Sequence, residues 1–200
     1  MDYIALKGRI EQAIQSRPLD IEAYNDLFDL CREYEKVDFT TAHEWNRVMR
    51  TQVGYGLRLA VEKPDFVLAE RFNNLLFRSL LFDAPHFFDE YLQAVEFGKP
   101  LDKKFYQPRR HYLKRYVDAY QEILEGKLDF LSISMPKRAG KSQLGINFTN
   151  MLSGKYPDRS TLMEGTGDDL VKSFYLGCLE YLQTPSDYHF YDIFPESKLV

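Results

Sequence analysis

Ala139-Gly140-Lys141-Ser142, within "SISMPKRAGKSQLGINF" at residues 132–148, combines residue types suited to holding phosphate. The usual phosphate-loop pattern is G-x-x-x-x-G-K-[ST]. Gly140 lets the backbone approach phosphate oxygens closely. Lys141 can bridge the outer phosphates of a nucleotide, and Ser142 can ligate Mg²⁺. Backbone N–H groups around Arg138 to Ser142 must point into one concavity, where a helix N-terminus adds its partial positive charge. Met135 stands where the first glycine of the pattern belongs. That glycine serves only the turn out of a strand. Pro136 fixes its own φ and biases Met135 toward extended geometry, so Met135-Pro136 can make the exit differently. A bare Gly-Lys-Ser arises by chance in roughly one such chain in ten, so its setting decides its meaning.

The elements around the loop suit it. "LDFLSISM" (128–135) is a short apolar run with partial alternation and reads as a strand. The loop "PKRAG" follows, then a helix, "KSQLGINFTNMLSG", closed by Gly154. "RSTLMEG" (159–165) reads as a second strand, and "DDLVKSFYLGCLEYLQ" as the helix after it. Upstream, "QPRRHYLKRYVDAYQEILEG" is a helix ending at Gly126. This order predicts an α/β domain with a parallel sheet. Residues 1–98 read instead as helices. "YIALKGRIEQAIQSR" is stopped by Pro18; Asp20 can cap the second helix, Thr40 or Thr41 the third, and Pro64 and Pro85 open two more. Gly54 and Gly56 weaken the middle of the third. Gly98-Lys99-Pro100 is the clearest breaker. The expected fold class is therefore α/β, in two regions. Residues 1–98 are a helical N-terminal region, and 99–200 are the start of a P-loop NTPase parallel-sheet domain, incomplete.

Composition agrees with a globular chain: 44% hydrophobic and 28% charged over 200 residues. No run of eighteen apolar residues occurs, so no membrane span is expected, and the start lacks the apolar stretch of a secretory signal. Two distant cysteines, Cys31 and Cys178, predict no disulfide framework and a cytoplasmic location. The scattered histidines offer no metal-ligand spacing. The net charge of −4 argues against wholesale coating of nucleic acid. Lys99 to Arg115, however, holds seven basic residues against one acid, Asp102, and such a field favours phosphates nearby. Its bland reading is a solvated basic helix end.

"MPKRAGKSQL" resembles the phosphate loop of the large terminase subunit, the DNA-packaging motor ATPase of tailed bacteriophages, which often lacks the first glycine. The upstream "FYQPRRHYLKRYVDAYQEI" and downstream "STLMEGTGDDLVKSFYLGCLEYL" are similar to the segments flanking that loop, so the resemblance covers roughly 100–195. It implies ATP and Mg²⁺ as cofactors. Lys137, Arg138, Ala139, Gly140, Lys141, Ser142 and Gln143 would surround the phosphates. Tyr106 and Gln107, with Pro108, would lie near adenine, and Ser142 would be the metal ligand. Lys141 and Arg138 would be catalytic, Arg138 stabilising charge on the transferring phosphoryl group. Implied partners are double-stranded DNA, the portal protein, a small terminase subunit and further copies in a homo-oligomeric ring, in the host cell cytoplasm.

Hydrolysis needs more than a phosphate cradle. A strand ending in four apolar residues and Asp-Glu supplies the Mg²⁺-holding and water-orienting carboxylates. No such run follows Ser142. The chain is therefore expected to be an amino-terminal portion of a longer protein, binding nucleotide with little or no turnover by residues 1–200. Two other readings stand beside it. One is a different P-loop NTPase, helicase-like or a small-molecule kinase. The other is a helical partner-binding module with a non-hydrolytic nucleotide site.

Smaller features read more plainly. Gly165-Thr-Gly167 lacks the third glycine of a dinucleotide fingerprint, and Asp168 and Asp169 suit a helix start. Arg109 and Arg110 either touch phosphate or face solvent. Trp45 and Cys178 suit core positions, and His111 the surface.

Overall fold

The computed structural model describes residues 3–17 and 20–197. The chain divides into two compact units between Phe82 and Asp83.

The first unit is helical. Its elements are α1 (Tyr3–Ser16), α2 (Ile21–Tyr34), α3 (Phe39–Glu62) and α4 (Phe66–Asp83), whose last residue reaches the boundary. The stop assigned to Pro18 lies outside the described residues. Asp20 caps α2 as expected, its side chain accepting from the Glu22 N–H at 3.2 Å. The third cap is a correction. Asp38, not Thr40 or Thr41, caps α3, accepting from the Thr41 N–H at 3.0 Å. Gly54 and Gly56 do not interrupt α3. A Cβ at Gly56 would meet the Phe72 ring at 2.7 Å, so this glycine serves the close approach of α3 and α4. Most apolar side chains at helical spacing face inward: Ile10, Leu27, Cys31, Met49, Val53 and Leu75 are buried together, whereas Ile4 and Phe66, expected on the same stripes, are exposed at the starts of α1 and α4. Trp45 packs partly buried against this cluster, its ring 5.0 Å from that of Tyr34.

One polar pair sits inside that core. The Asn46 side chain donates to the Ser79 carbonyl at 3.0 Å, and the Ser79 hydroxyl donates back to Asn46 Oδ1 at 2.9 Å. Both residues are buried. Asn46→Ala leaves the Ser79 hydroxyl without this acceptor, while Arg50 still donates to the Ser79 carbonyl at 3.2 Å, so it is expected to destabilise the unit by about 1–2 kcal/mol. Urea unfolding of Asn46→Ala beside the parent checks this through a lowered midpoint at constant slope.

The second unit contains α5 (Phe88–Val95), α6 (Arg110–Leu124), α7 (Lys141–Lys155), α8 (Asp168–Gln183) and the short α9 (Phe190–Ile193). Single 3₁₀ turns at Leu101–Lys103 and Gln107–Arg109 lead into α6. Helix α5 is opened from a distance. Gln121 of α6 accepts from the Phe88 N–H at 2.8 Å and donates to the His86 carbonyl at 3.1 Å. Helix α7 is the centre of the unit. Leu144, Ile146, Phe148 and Met151 are buried on it, and it packs against α5 and α8. Glycines set the α7–α8 approach: a Cβ at Gly177 would meet Ile146 at 2.6 Å, and one at Gly145 would meet Phe174 at 3.2 Å. Gly154 lies inside α7 rather than closing it, pressed against the Phe194 ring. Cys178 is partly buried on α8, and burial pushes its thiol up to about 11. Neither cysteine is in a disulfide.

The expected α/β class is overturned. No described residue lies in a strand, and the fold of the described residues is all-helical, without a parallel sheet. The run 128–135 keeps its alternation, with Leu131, Ile133 and Met135 half-buried between exposed Phe130, Ser132 and Ser134. It pairs with nothing, and neither does 159–165, where Leu162 is 83% exposed. Alternation reports which side chains can share a face. A strand also needs a second backbone at ladder distance, and that is a long-range condition. Among the described residues, no helix is long and apolar enough to cross a membrane.

Candidate functional site

The loop folds as a concave backbone cradle at the start of α7. The Ala139 N–H donates to the Pro136 carbonyl at 3.2 Å, closing a tight turn. Arg138 sits at φ 66° and Gly140 at φ 102°, while Lys137 and Ala139 do not have positive φ. Left-handed residues alternating with others are the backbone pattern found in anion-binding nests, although the Ala139 N–H is here taken by Pro136. Arg138 carries a side-chain penalty there of about 1–2 kcal/mol, a strain that needs the surrounding structure to hold it. Gly140 has no such penalty, and its missing Cβ matters separately. A Cβ would lie 2.8 Å from Phe105 Cε2.

A cavity of about 700 Å³ opens beside the cradle. That volume suits a small organic ligand such as a mononucleotide. Lys137, Arg138 and Lys141 line it from the loop, and Lys103, Lys104 and Arg109 from the segment before α6. None of these six cations has a carboxylate within ion-pair distance among the described residues. Arg109 donates to the Phe105 carbonyl at 2.9 Å and lies over the Phe105 ring. Burial lowers the Lys104 ammonium below its ordinary value, partly offset by the Glu96 charge. Three carboxylates also line the cavity: Asp102, Glu180 and the buried Glu96. Burial raises the Glu96 carboxyl, against the lowering effect of N–H groups from Tyr106 and Phe105.

Most of the residues singled out from sequence meet here. Lys137, Arg138, Gly140, Lys141, Ser142 and Gln143 line the cavity, and Ser142 is exposed at the first turn of α7, where a Mg²⁺ beside a bound phosphate can reach it. Gln143 also donates to the Tyr181 hydroxyl at 2.9 Å. Ala139 is half-buried and is not among the lining residues. Tyr106 and Gln107 do not line the cavity. Tyr106 is wholly buried, its hydroxyl donating to Asp89, and Gln107 is exposed in the 3₁₀ turn. Composition flagged the basic stretch holding Lys103, Lys104 and Arg109 without placing it at the loop. Glu96 and Phe105 carry no motif, and only tertiary packing brings them in. Of the paired arginines, Arg109 lines the cavity and Arg110 does not. Arg110 grips Asp89 with two bonds, Nε at 3.0 Å and Nη2 at 2.7 Å.

That Asp89 knot ties down Tyr106 and Arg110, the chain neighbours of the lining residues Phe105 and Arg109. Burial alone would raise the Asp89 carboxyl, but hydrogen bonds from Arg110 and Tyr106, with the Arg110 charge, outweigh it and hold it below its ordinary value. A carboxyl lowered by folding contributes stability fully present above its unfolded value, about pH 4. The contribution is lost as pH falls through the folded value. Asp89→Asn is therefore expected to flatten the fall in stability below about pH 4. At pH 7 it should cost about 1–2 kcal/mol, discounted because Arg110 is half-exposed. Urea midpoints of parent and variant from pH 3 to pH 7 check both statements.

Compared with protein-family models, curated proteins and solved structures, the chain matches none.

Proposed function

We propose that the 136–143 loop binds the phosphates of ATP with Mg²⁺, as part of a DNA-packaging motor of the phage terminase large-subunit kind. The observation that carries the phosphate reading is the meeting of a loop with left-handed residues at Arg138 and Gly140 and six cations, none in an ion pair among the described residues, against three carboxylates in one cavity. Six positive groups outnumber three carboxylates around this cavity, and a polyphosphate would offset that excess while accepting hydrogen bonds from the loop. Lys141 bridges the outer phosphates, Arg138 faces the transferred group, and Ser142 supplies a hydroxyl to the metal. The motor assignment rests on the resemblance of "MPKRAGKSQL" and its flanks, and extends to double-stranded DNA, a portal, a small terminase subunit and a ring of copies as partners.

The test is thermal. A ligand that binds only the folded state raises its melting temperature. MgATP at a hundredfold excess over its Kd is expected to raise that of the second unit by about 5 °C or more. Inorganic phosphate at equal concentration should raise it less. No shift with MgATP, MgADP or phosphate sinks the phosphate reading and leaves the helical chain as a partner-binding module.

A further inference from the structure

We propose that Glu96 is a positioning residue for the phosphate cradle, acting through Phe105. This rests on the phosphate reading above. Glu96 lies just beyond α5 and is 4% exposed, yet its carboxylate lines the cavity without any ion-pair partner among the described residues. It accepts from two consecutive backbone groups. The Phe105 N–H lies 3.0 Å from both carboxylate oxygens, and the Tyr106 N–H lies 3.1 Å from Oε2. Those bonds fix the backbone of the residue whose ring meets Gly140. The Phe105 ring then abuts Gly140, filling the space a Cβ would take.

A buried carboxylate beside a phosphate pocket is costly twice over. It loses hydration, and it opposes an incoming anion. Hydrophobic packing alone could seat a phenylalanine without either cost. What the carboxylate adds is direction, because two N–H groups converging on one anion allow a single backbone placement. With the ring so placed, Gly140 has no room to relax out of its left-handed conformation toward the ring. The loop N–H groups are thereby held at the geometry a phosphate requires, before any ligand arrives. Such pre-organisation raises affinity by removing an ordering cost from binding.

The experiment uses the 200-residue chain, its Glu96→Ala, Glu96→Gln and Phe105→Leu variants, and two readouts. One is the Kd for MgATP by calorimetry. The other, taken without nucleotide, is the ring-current shift of the Gly140 α protons by NMR, which a purely global loss of stability does not move. Glu96→Ala is expected to weaken MgATP binding about 10-fold or more, since two bonds to a charged acceptor are lost. Its Gly140 α-proton shifts should collapse toward those of Phe105→Leu. Glu96→Gln keeps an oxygen able to accept both N–H groups and should stay within about threefold of the parent. Unchanged Gly140 shifts and unchanged affinity in a folded Glu96→Ala overturn the proposal while leaving the phosphate reading intact. Should Glu96→Ala fail to fold, Phe105→Leu decides: parental affinity there overturns the proposal. A parent chain that binds no MgATP overturns the phosphate reading, and this proposal falls with it.

Discussion

Lys141→Ala is expected to weaken MgATP binding about 100-fold, so that a concentration stabilising the parent by about 2.7 kcal/mol stabilises the variant by only about 0.4 kcal/mol. The magnitude follows from losing one charge-assisted contact to phosphate, about 2–3 kcal/mol where the ammonium is aimed at its target. The same substitution should hardly touch the empty protein. Lys141 is exposed at the first helical position of α7 and has no hydrogen bond or ion pair among the described residues. Loss of an exposed, unpartnered cation changes stability by about 0.5 kcal/mol at most. Relieving repulsion from Arg138 and Lys137 acts in the stabilising direction. The combination of unchanged apo stability and a strongly reduced ligand response separates a binding role from a folding role. Lys141→Arg restores the charge with a planar fork on a different stem, so only partial recovery is expected. Calorimetric titration of parent and variants, with melting curves in the absence of nucleotide, measures both quantities. Parental affinity in Lys141→Ala would place the phosphate elsewhere than this loop.

Gly140→Ala is expected to cost about 2–5 kcal/mol of stability and to abolish measurable MgATP binding. Two separate penalties add. At φ 102° a Cβ meets its own backbone, worth about 1–2 kcal/mol. The same Cβ would stand 2.8 Å and 3.0 Å from two Phe105 ring carbons, and pushing that ring away adds an overpacking cost of about 1–3 kcal/mol. The backbone that carries the ring is anchored at the Phe105 N–H by Glu96, so the ring gives way by side-chain rotation alone. Gly167→Ala supplies the control. Gly167 is extended, at φ −171°, and a Cβ there meets nothing within 4 Å. Its replacement should change stability by no more than about 0.5 kcal/mol. Denaturant midpoints for the two variants, read beside the parent, give the comparison. Equal effects at both glycines would refute a special role for Gly140 in shaping the cradle.

What the sequence by itself determined is local. Breakers, caps and turn residues in the sequence set the extents of α1, α2, α6 and α8 to within a few residues, because these act within one or two turns of the chain. Asp20 announced its cap by standing directly before the stripe it caps. The junction at Gly140-Lys141, loop on one side and helix on the other, was legible because glycine alone enters left-handed geometry without cost. Tertiary structure decided everything that depends on a distant partner. Alternation in 128–135 suggested a strand, and the absence of any second backbone at pairing distance left it irregular. Thr40 and Thr41 looked able to cap α3, but Asp38 offers a charged acceptor and takes the role. Tyr106 sat in the segment expected near a base, and the pull of Asp89 turned its hydroxyl inward. Glu96 and Phe105 are 44 and 35 residues from Gly140 along the chain. Their meeting follows from helix packing, which no periodicity in the sequence encodes.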